Sequence, residues 1–244
     1  MKRILTMITL TAILLTACAS SSGDGGSKPV QTAKQVGVAK SNEATATAQQ
    51  SSDEIQADTS SQLQSSESKI LVVYFTPAEN GELDAITSAS KVNFWGEDMG
   101  NAQAMANVVA AYTGADLFSI QTVKDYPLEY NDLADNAKAE QDAGELPELA
   151  TAVDISSYDT VFMVYPVWWY TMPQPIYSFL NEYDLSGKTI IPVTTHEGSG
   201  LADSVSKISE LEPSAAVKDG FSVRGADVGS SQEDIENWLK EQGF

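Results

Sequence analysis

Trp168 and Trp169 lie in the segment Tyr165-Pro166-Val167-Trp168-Trp169-Tyr170-Thr171-Met172-Pro173 and are the side chains of this sequence best suited to hold a flat ligand. The segment follows the apolar run Thr160 to Val164, which reads as a buried parallel strand, and it ends at Pro173, a residue suited to a helix start. The two indoles therefore fall in a strand-to-helix loop. In open α/β sheets such loops form the ligand crevice outside the carboxyl ends of the strands. Closing over a hydrophobic core is the competing role for both rings. A second chemical segment is Thr194-Thr195-His196-Glu197-Gly198-Ser199-Gly200, which holds the one histidine of the chain. His196 can exchange a proton near neutrality, and Glu197 is placed to orient it; a plain loop hydrogen bond is the alternative. One histidine, with no grouping of His, Cys and carboxylates at ligand spacing, points to no metal site.

The elements that must position these loops follow from apolar periodicity. Strands are predicted at Ile70–Phe75, Asp116–Ile120, Tyr158–Tyr165, Thr189–Thr194 and Val217–Val223. Helices are predicted at Asn101–Tyr112, Glu129–Ala143, Pro173–Tyr183, Leu201–Leu211 and Gln232–Leu239. Five strands alternating with helices predict an α/β fold, a doubly wound parallel sheet covered on both faces. Pro77 to Met99 reads as an insertion between the first strand and the first helix.

The amino terminus carries a different message. Met1-Lys2-Arg3 is basic, Ile4 to Ala17 is almost wholly apolar, and Leu15-Thr16-Ala17 places small residues before Cys18. This pattern predicts a secretory signal over 1–17, too short to span a membrane. Its resemblance to the bacterial lipobox implies cleavage before Cys18 and lipid attachment to that sulfur. The protein would then be anchored to the outer face of the bacterial cytoplasmic membrane. Residues 18–68 are rich in Ser, Ala, Gln and Thr, a composition that buries too little apolar surface to fold, so a disordered tether is expected. Such a chain of roughly 50 residues reaches on the order of 40 Å. Residues 69–244 make one domain of ordinary size. Cys18 is the only cysteine, so the domain has neither a disulfide nor a thiol nucleophile. The formal charge of −20 makes nucleic acid and anionic headgroups poor partners.

Strand Ile70–Phe75 followed by Thr76, Gly100-Asn101 opening a helix, the Tyr165–Trp169 loop and the Thr194–Gly200 loop together resemble the flavodoxin-like family, which binds FMN. The resemblance implies strand order 2-1-3-4-5, five parallel strands in three layers, with FMN between the first and third strands; the general principle cites flavodoxin itself as its example. Carried onto this sequence, it implies a phosphate site at Thr76, Gly100, Asn101 and Ala102, the last standing where hydroxyl residues are common. Thr87, Ser88 or Ser90 of the insertion can add hydroxyls. The ring site would be Tyr165, Pro166, Val167, Trp168 and Trp169 on one side and His196, Glu197 and Gly198 on the other. Backbone N–H groups at a helix start bind phosphate whatever the side chains.

The resemblance implies an FMN protein that carries electrons or reduces a small acceptor such as a quinone. No Gly-x-Gly-x-x-Gly follows the first strand, so a membrane quinol or a redox protein is the expected electron source. No catalytic residue is identified; His196, as a proton donor to reduced flavin or substrate, is the one candidate. A sensor or binding module that kept the fold and lost the cofactor is the competing reading, favoured by the interrupted phosphate turn.

Overall fold

A computed structural model describes residues 69–80 and 90–244. The signal, Cys18, the tether, Thr87 and Ser88 lie outside the described residues. No helix among the described residues is long and apolar enough to cross a membrane.

The centre of the fold is a parallel sheet. Strands β1 (Ile70–Tyr74), β4 (Asp116–Ser119), β5 (Thr160–Pro166) and β6 (Thr189–His196) run in the order β4-β1-β5-β6, and β7 (Ala216–Val217) and β8 (Phe221–Arg224) both pair with β6. Between β1 and β4 stand an antiparallel hairpin, β2 (Lys91–Phe94) and β3 (Glu97–Gly100), and helix α1 (Asn101–Thr113). The remaining helices are α2 (Tyr130–Ala143), α3 (Gln174–Glu182), α4 (Ser204–Leu211) and α5 (Gln232–Gln242). With the hairpin set aside, the order is the predicted 2-1-3-4-5.

The sheet is buried on both faces because its central strands β1 and β5 are apolar or aromatic on both faces, with Thr160 the one polar residue, rather than at alternate positions. Val72, Phe162, Val164 and Val193 pack beneath α1 and α5 with Met105, Val108, Ile235 and Leu239. Val73, Val161, Met163 and Tyr165 pack on the other face with Ile176 and Phe179 of α3 and Ile208 of α4.

Two features differ from the sequence expectation. The insertion, to which no element was assigned from sequence, carries the β2–β3 hairpin. Its two-residue turn, Trp95-Gly96, has φ of 53° and 87°, the pair of positive angles that matches the twist of the two strands. Asn-Gly is the usual signal for that turn, and tryptophan in its first position hides it.

The fifth strand, predicted as one piece, is split in two. Ile190 pairs with Val217 and Val193 with Phe221, so Lys218, Asp219 and Gly220 stand opposite only Ile191 and Pro192. One extra residue on the outer strand is a bulge, and it sits where Pro192 has no N–H to offer the ladder. Gly220 is required there, because a Cβ on it would lie 2.1 Å from the Pro192 carbonyl oxygen. Gly220→Ala should therefore cost about 1–3 kcal/mol of stability, read from urea unfolding. An unchanged midpoint would show that the bulge adapts freely.

Candidate functional site

A cleft opens at the carboxyl ends of β1, β5 and β6. Its inner part, about 150 Å³, is lined by Thr76, Ser90, Asn101, Ala102, Thr195 and His196 among others. Its outer part, about 550 Å³, is lined by Ala134, Ala137, Trp169, Tyr170, Gly198 and Ser199. Tyr130, Leu133, Val167, Trp168 and Glu197 line both parts, so the two form one continuous space. A volume of several hundred Å³ walled by aromatic residues, with polar groups at one end, is the usual form of a small-molecule site.

The inner end is built on the close approach of α1 to β1. Gly100 immediately precedes α1 in extended conformation and no side chain caps the helix there. A Cβ on Gly100 would lie 2.1 Å from Thr76 Oγ1, so only glycine lets the helix start rest on the strand end. Thr76 Oγ1 accepts the Ala78 N–H at 3.3 Å, which closes the turn above it. The first-turn N–H groups of a helix have no partner within it and carry the positive end of its dipole. Thr195, which lines the same space as Asn101 and Ala102, is 2 % exposed, and its Oγ1 has no hydrogen-bond partner among the described residues. A helix start without a side-chain cap, with an orphaned hydroxyl on a residue lining the same small space, suits an oxyanion.

The turn over the strand end is secured from below. The Tyr74 and Ser119 hydroxyls both donate to the Glu79 carboxylate. Glu79 belongs to the short 3₁₀ turn Pro77–Asn80, so one carboxylate ties that turn to β1 and β4. Burial and the bond to Glu79 push the Tyr74 hydroxyl well above its usual range.

The structure separates the two tryptophans. Trp168 is part-buried, with its ring edge-on to Phe75 and to Tyr126 at 5.4 Å in each case. The Tyr126 hydroxyl donates to the buried Glu140 carboxylate of α2 at 2.7 Å. Burial raises the Glu140 carboxyl above the usual carboxylate range, although the Tyr126 bond favours the charged form. The rings of Phe75, Tyr126 and Trp168 thus make a fixed wall. Trp169 lies outside it, 44 % exposed, with its indole N–H on the Ala134 carbonyl at 2.9 Å.

The backbone between them is strained. Trp168 and Thr171 exchange two N–H···O bonds of 3.0 Å across a two-residue turn, whose central residues Trp169 and Tyr170 have φ of 47° and 65°. Left-handed conformations cost bulky residues about 1–2 kcal/mol each, and such strain concentrates at functional sites. Its effect is to hold two exposed aromatic rings at the cleft mouth, with Tyr170 77 % exposed.

His196 lies at the end of β6 and also lines the inner cleft. Its Nδ1 accepts the Gly198 N–H at 2.8 Å, which leaves the proton of the neutral ring on Nε2. Burial, reinforced by Arg224, lowers its pKa, while Glu197 acts in the opposite sense. The bond to Gly198 is the plain loop hydrogen bond that was the alternative role for this ring. The Glu197 carboxylate stands 4.0 Å from Arg224 Nε.

Of the residues singled out from sequence, Thr76, Asn101, Ala102, Pro166, Val167, Trp168, Trp169, His196, Glu197 and Gly198 line the cleft. Gly100 lies beneath it. Tyr165 does not belong to it: the side chain is fully buried among the residues facing α3 and α4, and burial raises its hydroxyl pKa. Neither Thr195 nor α2, which supplies Tyr130, Leu133, Ala134 and Ala137 to the cleft, was assigned a role from sequence.

A family model described as flavodoxin matches residues 92–242. Among solved structures, a protein of Bacteroides eggerthii classed as a flavoprotein is 26% identical, with a TM-score of 0.56 over 71% of this chain and 97% of that one. A similarly classed protein of Bacteroides uniformis is 25% identical, with a TM-score of 0.55 over 71% and 98% of the two chains. The flavoprotein of Lactobacillus acidophilus in complex with FMN shares the fold at 16% identity, with a TM-score of 0.50 over 70% and 99%. A search of curated proteins finds no match.

The packing of the two indoles implies different losses. Trp168→Ala removes the edge contacts to Phe75 and Tyr126 and should cost about 3–5 kcal/mol of stability, whereas Trp169→Ala should stay within about 1 kcal/mol. Equal destabilisation in chemical unfolding would show that both rings are structural.

Proposed function

This chain belongs to the flavodoxin family, and from that premise we propose that its cleft binds FMN, with the phosphate in the inner part and the ring system against Trp168 in the outer part. The observation that carries the reading is the α1 start without a side-chain cap, facing the orphaned Thr195 hydroxyl in a space continuous with the aromatic wall. Thr76, Ser90 and Thr195 would supply hydroxyls to the phosphate, and Asn101 and Ala102 would supply the helix start. Pro166, Val167, Trp168 and Trp169 would flank the ring on one side, with His196, Glu197 and Gly198 on the other.

Bound FMN supplies reversible uptake of electrons. The chain's part is to bind, orient and exclude water. Trp168 and its supports Phe75 and Tyr126 present a preformed apolar wall, so little ordering is needed on binding. His196 offers a neutral Nε2–H, a donor that does not alter the charge of the site. The exposed Trp169 and Tyr170 at the mouth suit a flat acceptor such as a quinone, or a redox protein. The competing reading, a fold without cofactor, leaves the buried Thr195 hydroxyl unexplained.

We further propose that residues 1–17 direct export, that Cys18 carries the lipid and that 18–68 tether the domain to the outer face of the cytoplasmic membrane. Electrons would then pass between a membrane quinol or protein donor and an extracytoplasmic acceptor.

Calorimetric titration with FMN and with riboflavin tests the cofactor. FMN should bind more tightly, and Thr195→Val should weaken FMN by about tenfold to a hundredfold, the scale of a hydrogen bond to a charged group, while leaving riboflavin unchanged. Equal loss for both ligands would remove the phosphate from Thr195. Membrane fractionation tests the anchor: Cys18→Ser should release a folded protein to the soluble fraction, and continued partitioning with membranes would contradict lipidation.

A further inference from the structure

A second cavity, built from other residues, lies between the β2–β3 hairpin, the 3₁₀ turn Gly225–Ser230 and the first turns of α5. It is an open groove of about 580 Å³, lined by Asn93, Trp95, Ser230, Gln232, Glu233 and Glu236, together with Phe94 and Gly229. The indole of Trp95 is 56 % exposed, although this side chain is among those with most apolar surface to bury. Its orientation is fixed: Trp95 Nε1 donates to Gln232 Oε1 at 3.0 Å, and Gln232 Nε2 donates to Glu236 Oε1 at 2.8 Å. The turn that carries it places Trp95 at φ 53°, in the left-handed region.

This wall has a definite chemistry. The lining holds two carboxylates and neither lysine nor arginine. Glu233 has no hydrogen bond or ion pair among the described residues, and Glu236 has committed one oxygen to Gln232. An aromatic face beside carboxylates attracts an organic cation, since the ring quadrupole and the charges act in the same direction. The start of α5 opposes this with about half a positive charge, which two full negative charges outweigh. A planar guanidinium fits better than a compact ammonium, because it stacks on an indole and presents a fork of donors to carboxylates.

We propose that the Trp95 cavity binds a guanidinium group, stacked on the indole and hydrogen-bonded to Glu233 and Glu236. The group can belong to a small alkylguanidine or to an arginine side chain of a partner protein. The proposal is independent of the flavin reading, because none of these residues lines the cleft at the ends of β1, β5 and β6.

The test is a titration of the ¹⁵N-labelled protein with ethylguanidinium chloride at constant ionic strength, read on the indole N–H resonances of the four tryptophans. The Trp95 resonance should shift and saturate while those of Trp168, Trp169 and Trp238 stay in place. In the Glu233→Gln, Glu236→Gln double variant the apparent affinity should fall at least about tenfold. The unmoved resonances report that this variant remains folded. Two further arms define the ligand. Tetramethylammonium, which cannot donate hydrogen bonds, should shift Trp95 far less. A short peptide with one central arginine that binds more tightly than ethylguanidinium assigns the group to a protein partner, and equal affinity assigns it to a small molecule. A linear, unsaturating shift, equal effects in parent and double variant, or an equal response to tetramethylammonium would overturn the proposal.

Discussion

The seating of α1 on the end of β1 is the constraint from which the site follows. Gly100 passes so close to Thr76 that a single methyl group would collide with the threonine hydroxyl. That approach brings the first turn of α1 to the carboxyl edge of the sheet, beside Thr195 at the end of β6. A helix start at a strand end gathers N–H donors that have no partner within the helix, and about half a positive charge, in one small volume. In a chain whose formal charge is −20, such a local reversal of sign is what allows an anionic group to be held at all.

The outer cleft meets a different need by a division of labour between neighbours. Trp168 is fixed by Phe75 and Tyr126, and Tyr126 is fixed by a buried carboxylate on α2, so the wall is rigid before any ligand arrives. Trp169 and Tyr170 are held outward by a turn whose backbone angles suit glycine far better than aromatic residues. Local strain in that turn is offset by the burial of Trp168 and by the hydrogen bonds of Thr171, whose hydroxyl meets that of Tyr177 at 2.7 Å. Rigid wall and exposed rim therefore arise from three successive residues.

The long apolar runs of β1, β5 and β6 and the periodic faces of α1 and α5 made the layered fold legible from sequence. So were the three loops of the cleft, because strand ends and helix starts carry compositional marks. What stayed hidden has physical reasons. In β5 every residue after Thr160 is apolar or aromatic, so no alternation reveals which face Tyr165 occupies. Thr195 and Thr194 are adjacent and identical, yet one hydroxyl bonds Gly200 while the other is orphaned, a matter of strand parity alone. The hairpin turn was masked by tryptophan in a place that glycine or asparagine usually holds. The contribution of α2 depends on tertiary packing, which its polar, alanine-rich sequence does not announce.

The measurement that bears most directly on this account is a crystal structure of the domain grown with FMN. The account requires the phosphorus-bearing end of the ligand within hydrogen-bond reach of the first-turn N–H groups of α1 and of Thr195 Oγ1, with the ring system against Trp168. FMN seated elsewhere, or a phosphate turned away from Gly100 and Thr195 toward solvent, would contradict it.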